Sequence, residues 1–397
     1  MDLVLRLTPT PPANAFVPAE KLSEKQPVFP LDLHLCADCK HAQLLDVVDP
    51  EVLFRDYVYV SGTSPVFVEH FRRYAEAIIQ RYLPYDRQAF VVDIGSNDGT
   101  LLQNFLPRGD RVLGIDPAEK IAKRATESGV PTIARFFDPA LAKDLRQAHG
   151  AADLIAANNV FAHADNLAGI ADGVRHLLGP SGVFAFEVSY LGDVVQKSLF
   201  DTIYHEHLAY HAVAPLSRFL GAHGMQLIDV ERIDTHGGSI RGIAAHKGSP
   251  HAVQPSVGAI EKWEKANRLD RPETFKKFAA GIAARRDAFR ALVGKLKGEG
   301  RRIAGYGAPA KATTLMYHFG IGREVVEFVV DDSPWKQGLF TPGLHVPVLA
   351  AEALYDKRPD EAIILAWNFA PSIIAKHAAF RQGGGHFITP LPELERQ

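Results

Sequence analysis

A tyrosine, two histidines and a glutamate stand side by side in the run Tyr204-His205-Glu206-His207. Such a run offers a proton acceptor, a carboxylate to orient it and a phenol to hold a developing oxyanion. Histidine suits the first task because its unperturbed pKa, roughly 6.5, lies near neutrality. The same residues could hold a metal, although the two-residue spacing of His205 and His207 fits a strand edge better than the helical i, i+4 pair of zinc proteases. A polar loop with one satisfied core histidine is the third reading, and the residues alone leave all three open. A second polar run, Asn158-Asn159-Val160-Phe161-Ala162-His163, follows an earlier strand-like stretch. In an open parallel sheet both runs leave the carboxyl ends of strands and can converge on one crevice.

The run Val91-Val92-Asp93-Ile94-Gly95-Ser96-Asn97-Asp98-Gly99-Thr100 places small residues where a strand gives way to a helix. Backbone can approach a ligand closely there. About twenty residues on, where the dinucleotide fold expects an acid at the end of the next strand, stands Asp116, able to accept from a ribose diol. With Asp93 in the strand, turn and acid favour a nucleoside ligand. A dinucleotide fingerprint cradles a pyrophosphate, whereas the acids of this turn would repel one. S-adenosylmethionine (SAM) has no phosphate and carries a sulfonium and an ammonium, so it suits such a pocket. A second turn, Gly305-x-Gly307-x-x-Ala310 with Asp331 ending the next strand, has dinucleotide spacing and on sequence alone could be an NAD site.

These residues need elements to carry them. Apolar positions fall at helical spacing from Phe67 to Leu83, and strand-like runs at Phe90 to Ile94, Val112 to Ile115, Asp153 to Ala156 and Val183 to Val188 alternate with helical segments. That pattern predicts a parallel sheet covered on both faces. A second α/β pattern runs from Arg302 to Trp367, so two nucleotide-type pockets are expected. Between them a polar stretch with Lys262, Lys265, Arg271, Lys276, Lys277, Arg285 and Arg286 reads as the solvated face of linking helices. The first residues are irregular and proline-rich, with Cys36-x-x-Cys39 and Tyr57-Val58-Tyr59. The expected division is 1–75, a small module; 76–250, the first α/β unit; and 251–397, helical linker plus second α/β unit.

Composition narrows the function classes. Hydrophobic residues at 47%, charged residues at 23% and a net charge of -2 give no basic excess for nucleic acid or a lipid surface. No run of eighteen apolar residues predicts a membrane span, and the start MDLVLRLTPTPPANAF lacks the basic and apolar regions of a signal peptide. Two cysteines exclude a disulfide framework, and a cytoplasmic enzyme is expected. Oligomeric state is not legible.

Taken together the motifs resemble the sugar 3-C-methyltransferases that act on nucleotide-linked 4-keto-deoxy sugars. The resembling text is Thr8 to Cys39, Ser61-Gly62-Thr63-Ser64, Asp93 to Gly99, Asn159 to His163, Phe200 to His207, Thr235-His236-Gly237-Gly238-Ser239, Gly305 to Lys311 and Asp331 to Gly338, nearly the whole chain. The resemblance implies a class I SAM-methyltransferase Rossmann-like domain, a second carboxy-terminal Rossmann-like domain holding the sugar's nucleotide diphosphate, and an amino-terminal module of zinc-binding type. It implies that the methyl acceptor is the carbon beside a ketone. His207 would be the base and Glu206 would orient and charge-balance it. Tyr204 and a tyrosine of the amino-terminal module, Tyr59 ahead of Tyr57, would contact the sugar or its enolate. Asp93, Gly95, Ser96, Asn97, Gly99, Asp116 and Asn159 would bind SAM. His163, His236, Ser239, Gly307 and Lys311 would line the sugar-nucleotide side, with Lys336 a lesser candidate because a lysine in a surface turn is usually solvated.

Where the family carries four cysteines, this chain has Cys36 and Cys39 alone, short of the four ligands zinc prefers. Zinc is therefore not expected of the chain as given, unless His34 or His41 substitutes or the first pair precedes Met1. Leu344 stands where the family usually has threonine. Two rival activities remain at this point, a SAM-dependent sugar O-methyltransferase and an NAD-dependent sugar-nucleotide oxidoreductase. The intact Tyr-His-Glu-His run argues against a non-catalytic binding module.

Overall fold

The computed structural model describes residues 1–54, 62 and 65–397, apart from the side chain of His236. Tyr57 and Tyr59 lie outside the described residues. The strands are β1 (Asp2–Thr10), β2 (Phe29–Leu35), β3 (Ala42–Leu44), β4 (Phe90–Ile94), β5 (Arg111–Ile115), β6 (Thr132–Ile133), β7 (Ala152–Asn158), β8 (Leu178–Ser189), β9 (Ala209–Tyr210), β10 (Met225–Ile233), β11 (Ser239–His246), β12 (Ile303–Tyr306), β13 (Val329–Val330), β14 (Val348–Leu349), β15 (Glu361–Ile364), β16 (His386–Thr389) and β17 (Glu395–Arg396).

The central sheet has the order β10-β11-β8-β7-β4-β5-β6. Strands β8 to β6 along that order pair in parallel, while β11 runs antiparallel to β8 and β10 antiparallel to β11. The sheet is thus mixed at one edge, a correction to the all-parallel expectation. Every residue of β4 is buried because the strand is covered on both faces, which is why it reads as an unbroken apolar run instead of alternating. Phe90, Val92 and Ile94 face a core with Leu141, Ile170, Val174 and Leu216, and Val91 faces Phe71, Tyr74 and Ile78 on the other side. Those last residues belong to the helix Pro65–Tyr82, which runs across the boundary expected at 75 and packs on this sheet.

The carboxy-terminal sheet has the order β14-β13-β12-β15-β16-β17, parallel except for β17. The amino-terminal sheet is antiparallel, β1-β2-β3-β9, and its fourth strand comes from the middle of the chain. Leu5, Leu7, Leu31 and Leu33 from this small sheet share one apolar core with Phe275, Phe289, Leu315 and Phe319 of the carboxy-terminal third. The module is thus folded onto the second α/β unit. Phe275, Phe278, Ile282, Phe289, Val293 and Leu296 form the buried stripe of the long helix Pro272–Gly298, at spacings of three, four and seven, with the charged residues left facing out. Among the described residues no helix is long and apolar enough to cross a membrane.

One buried carboxylate joins the linking helices to the central sheet. Glu264, on the helix Pro255–Ala266, accepts from the amides of Val213 (2.6 Å) and Ala214 (2.9 Å) and from the Tyr190 hydroxyl (3.1 Å). The two amides open the helix Val213–Ala222, where no intrahelical acceptor exists for them. Glu264→Ala strands both amides and the phenol in the interior. Urea denaturation should show a loss on the order of 2–4 kcal/mol, against a change within about 0.5 kcal/mol for the exposed neighbour Lys262→Ala.

Candidate active site

The first glycine turn leaves β4 at Gly95, whose φ is +70°. A Cβ at Gly95 would lie 2.2 Å from Val160 Cγ2, so both the dihedral and the close approach require glycine. The turn is tied to β5 by Gly95 N–H donating to Ile115 O (2.7 Å) and by Asn97 N–H donating to Asp116 Oδ2 (2.9 Å). Ala118 N–H donates to the other Asp116 oxygen at 2.9 Å. Asp93, one strand over, is buried, and its Oδ1 has no hydrogen-bond partner among the described residues. Burial first, and the Asp116 carboxylate second, push the Asp93 carboxyl up to about 8. Burial also raises Asp116, against its two backbone hydrogen bonds. Two carboxyls held this way disfavour a phosphate and suit a cationic nucleoside with a free diol, which is the chemistry of SAM.

The polar run after residue 199 is a tight turn closed by His207 N–H donating to Tyr204 O (2.8 Å). His207 Nδ1 lies 2.8 Å from Thr202 O, and Nε2 lies 3.1 Å from the Tyr204 hydroxyl. A carbonyl only accepts, so Nδ1 carries the hydrogen and Nε2 presents its lone pair, to which Tyr204 O–H donates. The orienting acceptor of the histidine is thus a backbone carbonyl. Glu206, expected in that role, is buried and receives Asn14 Nδ2–H from the amino-terminal segment at 2.7 Å. His205 is buried, packs edge-on to Phe29, and donates from Nε2 to Pro30 O at 3.2 Å, so it leaves the cleft to its neighbour. The paired-histidine metal reading fails for the same reason. His163 stacks near the base, its ring centroid 4.9 Å from that of His207, and Asn159 turns into the cleft with φ +55°.

From the carboxy-terminal unit, Lys311 enters with its side chain 12% exposed, its Nζ 3.8 Å from Asp201 Oδ2 and 4.0 Å from the Trp367 ring centre. Burial holds its ammonium below the usual range, and Asp201 opposes this. Trp367 Nε1–H donates to the same Asp201 oxygen at 2.5 Å. Lys336 is not the solvated surface lysine that its context suggests. It donates to Ala308 O (2.8 Å), lies over the Phe16 ring, and is held below the usual ammonium range by burial, with Asp331 and Glu206 opposing. Gly307, by contrast, donates its amide to Val330 O (2.7 Å), and Ala308 donates to Asp331 Oδ2 (2.6 Å). The amides of Gly307 and Ala308 are thus taken up inside the fold, while Ala310 and Lys311, which open the following helix, line the cleft. Ser239 is fully buried and donates to Thr235 O (3.0 Å), which makes it a turn residue and not part of the cleft lining.

One cleft of about 770 Å³ unites these groups, lined by Asp93, Gly95 and Asp116, by Tyr204 and His207, and by Lys311, Trp335 and Lys336. Among the described residues, groups from both α/β units line this one cleft. Asn14, Asp201 and Trp367 escaped the sequence reading, since no local spacing marks them. Cys36 and Cys39 are free thiols; His34 donates to Asp32 O and His41 packs on His211. Among the described residues no three histidine, cysteine or acidic side chains gather as a metal site.

Comparison with known proteins adds three family models: a putative zinc binding domain over residues 1–54, a methyltransferase domain over 67–230 and a C-methyltransferase C-terminal domain over 234–392. C-methyltransferase NovU of Streptomyces niveus is 35% identical over 384 residues, covering 97% of this chain and 91% of NovU. A Burkholderia thailandensis 1,6-didemethyltoxoflavin-N1-methyltransferase, solved with its substrate and S-adenosylhomocysteine, is 20% identical over 54% of this chain and 98% of its own, with a TM-score of 0.37. The magnesium protoporphyrin IX methyltransferase of Synechocystis PCC 6803, solved with SAM, is 15% identical over 51% of this chain and 100% of its own, also at 0.37. Nothing further rests on those two partial overlaps.

The Asp93 carboxyl makes stability depend on pH. Folded, it keeps its proton up to about 8; the ordinary carboxyl loses it near 3.8. The raised value favours the folded state at low pH, and that contribution drains away as pH rises through the interval. Thermal denaturation of ligand-free protein at pH 5, 6.5 and 8 should therefore show wild type losing stability relative to Asp93→Asn as pH increases. A constant difference across the three would remove the buried acid from this role.

Proposed function

The chain belongs to the C-methyltransferase family, as a SAM-dependent enzyme, and from that premise we propose that it methylates the carbon beside the ketone of a nucleotide-linked keto-deoxy sugar in the cytoplasm. The observation that carries this reading is the single cleft in which an acid-lined glycine turn, a base with a phenol, and two buried lysines face one space. Each group then has a task. Asp93 and Asp116 take the cationic nucleoside, with Gly95 and Asn97 letting backbone close on it. Lys311 and Lys336, whose charge the interior disfavours, are matched to the diphosphate of the acceptor.

When bound, SAM supplies a methyl group on a positively charged sulfur, an electrophile for a carbon nucleophile. His207 Nε2 takes the proton from the acceptor carbon, and the electron pair left behind spreads onto the ketone oxygen. Tyr204, whose O–H rests on that nitrogen before the acceptor binds, turns from it to donate to the ketone oxygen and so frees the lone pair. The imidazolium keeps its Nδ1–H on the Thr202 carbonyl, so the ring does not turn during the transfer. His163 packs beside the base and limits where the sugar ring can lie. Tyr59 enters the reading on resemblance alone.

The test is incubation with methyl-labelled SAM and a panel of thymidine-diphosphate keto sugars, with products read by NMR. A new carbon-bound methyl branch is expected; an O-methyl ether, or no transfer to any keto sugar, would overturn the substrate assignment. His207→Asn should cut turnover by about a hundredfold to ten-thousandfold while SAM affinity stays near wild type. With S-adenosylhomocysteine in place of SAM, wild type should exchange the acceptor-carbon hydrogen with heavy water and the variant should not. Full exchange by the variant would move the base elsewhere in the cleft.

A further inference from the structure

The turn that carries the base is held by residues far from it in sequence. Its Ile203 carbonyl accepts from Thr314 Oγ1 (2.9 Å) on the helix Ala310–Phe319, and its Glu206 accepts from Asn14 Nδ2 (2.7 Å). Asn14 sits in a segment fixed in the same way. Ala13 O accepts from Thr313 Oγ1 at 2.9 Å, Gln26 Nε2 donates to Ala15 O at 2.8 Å, and Val17 exchanges two backbone hydrogen bonds with Phe340 (2.9 and 2.8 Å). Adjacent threonines on one helical turn thus hold both ends of the Asn14–Glu206 bridge. Asn14 also lines the cleft, and the Lys336 ammonium lies within the field of Glu206.

We propose that Asn14 is a positioning residue for methyl transfer: it fixes Glu206, and through Glu206 the turn that sets His207 against the acceptor. This rests on the reading of His207 as the base. A buried carboxylate is stable only with donors aimed at it, and a side-chain amide is a neutral donor that leaves the carboxylate its charge. Aspartate in its place would bring a second carboxyl to hydrogen-bond distance, where two like charges cannot both form, so one proton is shared until pH removes it. Among the described residues, the charged group in the field of Glu206 is Lys336, itself beside Asp331, and the titratable residues next to it in sequence are Tyr204, His205 and His207.

Asn14→Ala and Asn14→Asp are compared with wild type on whichever thymidine-diphosphate keto sugar wild type methylates. Asn14→Ala should lower kcat tenfold or more, with hydrogen exchange at the acceptor carbon falling in parallel and the KM for both substrates within twofold of wild type. Asn14→Asp should approach wild type at pH 6, where the shared proton replaces the amide hydrogen, and fall away from it by pH 9. An activity ratio to wild type that is flat across this range, or a raised acceptor KM with kcat intact, would overturn the positioning role. A reading independent of the acceptor is the NMR signal of the His207 Nδ1–H held by Thr202. Faster solvent exchange of that proton is expected in Asn14→Ala, and an unchanged signal in a folded variant overturns the proposal even where no keto sugar is turned over. Loss of all activity in wild type, by contrast, counts against the substrate assignment alone.

Discussion

The hydrogen bond from His207 Nδ1 to the carbonyl of Thr202 decides which ring nitrogen is open to the cleft, and much of the architecture keeps that bond in place. An isolated turn of six residues would not hold a ring to one tautomer and one direction. Here the turn is tied to the amino-terminal sheet through Pro30 and Asn14 and to the carboxy-terminal helix through Thr314. It is tied to the central unit by Ala209 N–H donating to Ala162 O at 3.0 Å. Each tether is a single hydrogen bond of modest net worth, about 0.5–1.5 kcal/mol. Their value lies in direction: together they leave the turn no second orientation of comparable energy.

The cleft is electrostatically divided. The central unit contributes two buried carboxyls from adjacent strands, the carboxy-terminal unit two part-buried lysines, and His207 with Tyr204 faces the same space. Burial works against all four charges. A cationic group against the carboxyls and an anionic group against the lysines would each relieve a cost the fold already bears, so affinity and orientation would come from the same arrangement. Exchanging the two groups would place like charges together.

What the sequence made legible was local. The glycine turn, the strand before it and the acid after the next strand sit within thirty residues, and their dihedral and register demands leave marks on residue type: φ +70° at Gly95, a carboxylate at Asp116 that caps the turn it follows. The Tyr204 to His207 run was visible because four chemically active residues are adjacent. Hidden were the contacts that chain separation conceals. Glu206 reads as the partner of its neighbour His207, yet its donor is Asn14, 192 positions away. Lys336 reads as solvated because a lysine in a surface turn usually is, whereas Phe16 and the Ala308 carbonyl enclose it from a distance in sequence. Gly307 has the spacing of a phosphate cradle, but its amide belongs to the sheet, a fact that spacing does not carry.

The fourth strand of the amino-terminal sheet is Ala209–Tyr210, and the sheet's leucines share their core with residues beyond 270. During synthesis the first sheet therefore waits for chain made much later. Strands β1 to β3 leave the ribosome with an open edge and an uncovered apolar face, and both stay exposed until those later residues are made. The base acquires its last tether only when residue 314 emerges. A chain that ends before Lys311 therefore lacks both the threonine that holds the base's turn and the two lysines that line the cleft.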